Sequence, residues 1–83
     1  MSMVTFTFRA ETTPEEQDEI LRTLQGWNGV IQVGRLHPSS TQPLLRRLAW
    51  VSTEEGTDCE KLVVRLKSIA AIDNAALAAE RHL

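Results

Sequence analysis

Apolar and polar residues alternate from Val4 to Ala10, with Val4, Phe6, Phe8 and Ala10 on one face and Thr5, Thr7 and Arg9 on the other. The stretch is rich in β-branched and aromatic side chains, which predicts a half-buried strand. The period then changes. Ile20, Leu21, Leu24 and Trp27 recur at helical spacing. Ahead of them, Thr13-Pro14-Glu15-Glu16 supplies a start signal: the Thr13 hydroxyl can accept from the Glu16 amide, Pro14 suits a first turn, and the acids oppose the helix dipole. A helix over 14–25 is predicted, with Gly26 as its C-terminal cap.

Asn28-Gly29 makes a tight turn into a second strand, Val30 to Leu36. His37-Pro38-Ser39-Ser40-Thr41-Gln42-Pro43 is a loop by composition, and a third strand is predicted from Leu44 to Thr53. Glu54-Glu55-Gly56 ends it. Thr57-Asp58-Cys59-Glu60 repeats the capping-box pattern before a second helix, whose stripe is Cys59, Leu62, Val63, Leu66 and Ile69. In the last segment local rules conflict. Ala75-Ala76-Leu77-Ala78-Ala79-Glu80 has high helix propensity, yet a closing strand over 74–80 would pair with the first strand and cover its open edge. Topology favours the strand. The expected architecture is α+β: a ferredoxin-like βαββαβ chain forming a four-stranded antiparallel sheet with two helices on one face.

Eighty-three residues predict one domain spanning 1–83. With 42% hydrophobic and 24% charged residues the composition is globular rather than disordered. A core this small gains from a partner, so a homodimer or another protein partner is expected. The net charge of -2 supplies no general attraction to phosphate backbones, which argues against nucleic acid. Cys59 is the single cysteine and cannot form an internal disulfide. No apolar run of membrane-spanning length and no signal-peptide pattern is present, so no membrane role and a cytoplasmic location are expected.

Chemistry-bearing residues are sparse. Cys59, His37 and His82 lie in separate segments without ligand spacing, so no metal or cofactor is expected. Glycine-rich phosphate loops and nucleophile elbows are missing, and no enzymatic activity is expected. Glu15, Glu16, Asp18 and Glu19 read as a solvated, acidic first turn. Arg9, Arg35, Arg46 and Arg47 come from three predicted strands and could gather on the sheet to hold a carboxylate or phosphate; Arg35, Arg46 and Arg47 form the candidate anion site. The third strand is apolar on both faces. If Leu45, Ala49 and Val51 lie beneath the helices, Leu48 and Trp50 stand on the open face as an interaction surface; the opposite assignment makes them core. RNA recognition on this fold would want aromatics on two central strands, and only Trp50 is available.

The strand order, the Thr13-Pro14-Glu15-Glu16 entry, Gly26 with Asn28-Gly29 before Val30, and the ending Leu66 to Leu77 resemble two families. One is the subtilisin propeptide-like inhibitor family. The other is the heavy-metal-associated domain family, whose paired cysteines would fall where this chain has Ala10-Glu11-Thr12-Thr13, so a metal role does not carry over. The propeptide-like resemblance implies a sheet face docked on a protease, here through Leu48 and Trp50, with Arg81-His82-Leu83 as the tail entering the active-site cleft. The leading expectation is therefore a non-catalytic protein-interaction module. The alternative is a regulatory domain binding a small molecule or anion near Arg35, Arg46 and Arg47.

Overall fold

The computed structural model describes residues 2–37, 39 and 41–77. Its elements are β1 (Ser2–Phe8), α1 (Pro14–Gln25), β2 (Val30–Arg35), α2 (Pro43–Arg46), β3 (Leu48–Thr53), α3 (Cys59–Lys67) and β4 (Ile72–Leu77). The four strands form one antiparallel sheet in the order β2-β3-β1-β4. Each β-α-β half is therefore split: β3 lies between β1 and β2, and β1 lies between β3 and β4. Sequence-adjacent halves interleave, and neither half can bury its apolar face without the other.

The core follows the strand alternation. Val4, Phe6 and Phe8 are buried; Val4 pairs in register with Val51, Phe6 with Ala49 and Ala75, and Phe8 with Ile72. Leu21 and Leu24 of α1 and Leu62 and Leu66 of α3 close over the same face as one cluster. The Phe6 and Phe8 rings meet edge to face at 5.2 Å, an arrangement worth about 0.5–1.5 kcal/mol beyond area burial. Ala49 is completely buried, and its small side chain admits the helices close to the centre of the sheet. Trp27 packs at the margin of the core, with the Arg65 guanidinium 3.9 Å from its ring centroid.

α1 begins as its sequence dictates. The Glu16 amide donates to the Thr13 hydroxyl at 3.2 Å, and the Thr13 amide donates to the Glu16 carboxylate at 3.1 Å. Gly29 takes a φ of +85°, a left-handed conformation costly for any residue with a Cβ, and such an atom would also meet the Thr57 hydroxyl at 2.7 Å.

Four expectations are corrected. The third strand does not start at Leu44: Pro43 opens a single helical turn, α2, and Leu44 is exposed. β1 ends at Phe8, so Ala10 is an exposed turn residue and not part of the core. The cap of α3 is Asp58, one residue later than Thr57, because its carboxylate accepts from both the Glu60 and Lys61 amides at 3.1 Å. The last segment is a strand beside β1, but it begins at Ile72 rather than Asn74, with a bulge between Thr7 and Phe8 in the facing strand. Residues 78–80, the end of that predicted strand, and the Arg81-His82-Leu83 tail lie outside the described residues.

Candidate anion pocket

The shift at Pro43 has a consequence for the arginines. In a continuous strand Arg46 and Arg47 would point to opposite faces of the sheet. Instead Arg46 ends α2 and Arg47 caps it, and both turn toward the end of the sheet where β1 stops and α1 starts. A cavity of about 460 Å³ opens there. Arg35, Arg46 and Arg47 line it together, with Thr12, Gln17 and Asp18 from the start of α1. Ala10, Pro14 and Pro43 supply its apolar wall. Three guanidinium charges face one carboxylate, so this corner is positive in a chain whose net charge is -2.

The three arginines are held differently. Arg35 points to the helix side of β2, where its Nη2 donates to the Asp18 carboxylate at 2.6 Å and to the Pro14 carbonyl at 3.5 Å. Its Nε donates to the Gln17 carboxamide oxygen at 3.4 Å. Gln17 is only 6% exposed, and its own amide donates to the Thr12 carbonyl at 3.4 Å. Arg47 is half-buried and makes one long contact, Nη1 to the Phe8 carbonyl at 3.5 Å. Its backbone carbonyl accepts from the Phe8 amide at 2.9 Å, which fixes the residue to the end of β1. Arg46 is exposed, and its side chain has no hydrogen-bond or ion-pair partner among the described residues. Arg9 leaves the cluster altogether: its Nε donates to the Ala70 carbonyl at 2.6 Å, and its charge lies 4.0 Å from Asp73.

The amino end of α1 does not itself offer an anion site. The Glu16 amide is held by the Thr13 hydroxyl and the Gln17 amide by the Thr13 carbonyl at 2.9 Å. The Glu16 carboxyl, bonded to the Thr13 amide and hydroxyl, is held below its ordinary value and keeps a negative charge on that turn. Attraction for an anion at this corner comes from the arginines. Asp18 and Gln17 were the pocket residues least visible in the sequence. In the sequence Asp18 reads as one of the solvated acids of the first turn, yet it is the acid that reaches Arg35. Their four- and three-residue spacing from Pro14 is the signal that put them on its side of the helix.

Leu48 and Trp50 lie on the sheet face away from the helices. They pair with Thr7 and Thr5, whereas Ala49 and Val51 pair with the buried Phe6 and Val4. Both are half-buried. Trp50 lies across Gly34 of β2: a Cβ there would sit 2.8 Å from the Trp50 Cζ2 atom, so the absent side chain makes the bed for the ring. Around them Thr5, Thr7, Gln32 and Asn74 are polar, while Met3 and Leu36, whose amide donates to the Leu48 carbonyl, are exposed apolar neighbours.

Among the described residues no three His, Cys, Asp or Glu side chains gather as a metal site. Cys59 is half-buried, its Sγ 3.5 Å from the Thr53 hydroxyl. No described helix is long and apolar enough to cross a membrane. No protein-family model, curated protein or solved structure matches the chain.

Proposed function

We propose that this chain is a non-catalytic ligand-binding domain of ferredoxin-like βαββαβ type that takes a small anionic molecule in the pocket of Arg35, Arg46 and Arg47. Read from its β4 edge the sheet order is β4-β1-β3-β2, with both β-α-β units split, and this supports the fold label. The observation that carries the function is the convergence of three arginines, from β2 and from the α2 turn, on one cavity of about 460 Å³. Small-molecule sites occupy roughly 300–1,000 Å³. Guanidinium forks match carboxylate and phosphate oxygens two at a time.

The test is thermal unfolding with phosphate or succinate at constant ionic strength, because salt alone screens the arginine charges. An anion at about ten times its Kd stabilises the folded state by about 1.4 kcal/mol, a rise of several degrees in Tm for a domain of this size. Equal melting in phosphate, succinate and chloride would overturn the reading.

A second reading rests on Trp50 and Leu48, which occupy the helix-free face beside exposed Met3. On it, that face docks a protein, either a second copy or a subtilisin-like protease as the propeptide-like resemblance implies. Light scattering of wild type and Trp50→Ala separates these: a dimer lost on substitution supports self-association, and a monomer that fails to inhibit subtilisin removes the reading.

A further inference from the structure

We infer that the pocket is selective for a doubly charged oxygen anion, a phosphate monoester or a short dicarboxylate, held by Arg46 and Arg47, with Arg35 acting as a positioning residue. This rests on the anion-binding reading and specifies its ligand.

Charge is the first ground. Asp18 sits 2.6 Å from Arg35 and cancels it, so the uncancelled charge of the pocket is that of Arg46 and Arg47. Two fixed positive charges in a partly enclosed corner are matched by two negative ones, whereas a monoanion leaves one guanidinium unmatched.

Donor accounting is the second. Arg35 spends its Nε on Gln17 and its Nη2 on Asp18 and Pro14. The Thr12 hydroxyl donates to the Ala71 carbonyl at 3.2 Å, and the Gln17 amide donates to Thr12. Arg47 spends one nitrogen on a 3.5 Å contact, and Arg46 spends none. Arg35 keeps only its Nη1 group unspent, so most of the free N–H groups of the pocket belong to Arg46 and Arg47, two residues adjacent in sequence. Arg47 is anchored through its backbone to β1, while Arg46 closes from the exposed side.

Size is the third. The cavity holds several times what a bare phosphate ion fills. Ala10, Pro14 and Pro43 offer an apolar wall to a short carbon body, so an organic dianion fits better than an inorganic one. Arg35 contributes by tying β2 to α1 and fixing that wall.

The experiment is titration calorimetry of the whole chain at neutral pH and fixed ionic strength with propyl phosphate, succinate and acetate as probes. Both dianions are expected to bind about tenfold or more tightly than acetate, and Arg46→Gln or Arg47→Gln to remove about tenfold each, the scale of one charge-assisted contact. The paired variant Arg35→Gln/Asp18→Asn removes one charge of each sign together with the tie between β2 and α1, and is expected to weaken all three probes in common while keeping the ratio of dianion to acetate affinity within about threefold, since the net charge of the pocket is unaltered. A tenfold fall of that ratio in the paired variant would make Arg35 a ligand contact, and acetate binding as tightly as succinate to the wild type would remove the selectivity; either overturns this inference while leaving anion binding intact. Binding of none of the three overturns the parent reading as well. If the paired variant does not fold, the wild-type ratio and its loss in Arg46→Gln decide. Propyl phosphate binding without succinate, or the reverse, selects between the two chemical sources of the dianion.

Discussion

The arginine corner and the tryptophan face both carry side chains of a kind used for binding, but the chain treats them differently. Trp50 is already partnered: its ring lies on Gly34, in a space left by a missing side chain, and it is half-buried as a result. Arg46 is not, and Arg47 is held by one long contact. An aromatic ring gains by lying flat on its own sheet, because any apolar contact takes it out of water. A guanidinium gains little without an oxygen partner of suitable geometry. Half-burial therefore consumes much of what Trp50 could offer a partner, while proximity of arginines leaves their capacity intact.

The largest expected effect tests the partnered side. Gly34→Ala drives a methyl group to 2.8 Å from the Trp50 ring and should cost about 1–3 kcal/mol, as overpacking does. Thermal melts in a Trp27→Phe background, where emission reports Trp50 alone, would show a lower Tm and a red-shifted spectrum. Unchanged stability would mean that the ring swings free at no cost, which returns weight to the docking face.

A smaller effect probes the corner. Asp18→Asn frees Arg35 from its counter-ion and should strengthen anion binding. The folded state should lose at most about 1 kcal/mol, because the pair is partly exposed and screened, with Asp18 58% accessible. Calorimetric affinity together with urea unfolding would measure both. Weaker anion binding in this variant would show that the pair orders the pocket more than it neutralises it.

The smallest effect lies beside the pocket, at the capping box. The folded-state Glu16 carboxyl is held below its ordinary value by the Thr13 amide and hydroxyl. Its contribution to stability is thus complete above the ordinary carboxylate range and is lost as pH falls through the lowered folded value. Glu16→Gln can still accept from Thr13 but does not titrate. Its stability difference from wild type should be constant near neutrality and change only in acid, as pH-dependent melts would record. A difference that varies near neutrality would point to another titrating group.

Legibility in the sequence followed the range of the interaction concerned. The period-two run of β1, the Thr13 cap and the Asn28-Gly29 turn are local, set by sterics and hydrogen bonds within a few residues, and each stood in the sequence. The arginines themselves are also visible there as the residue type whose fork suits an oxygen anion, but not their meeting. Pro43 starts α2 through its fixed φ, a local signal masked in the sequence by the apolar alternation that follows it. Two matters needed the tertiary structure. Ala75 and Ala76 belong to a strand, against their helix propensity, because β1 offers a ladder of backbone partners and a buried place for Ala75. The meeting of Asp18 with Arg35, and of Arg35 with Arg46 and Arg47, depends on β3 inserting between β1 and β2. That insertion is a contact between distant segments, driven by burial of apolar faces that neither half of the chain can cover by itself, and no local pattern encodes which charged side chains it brings together.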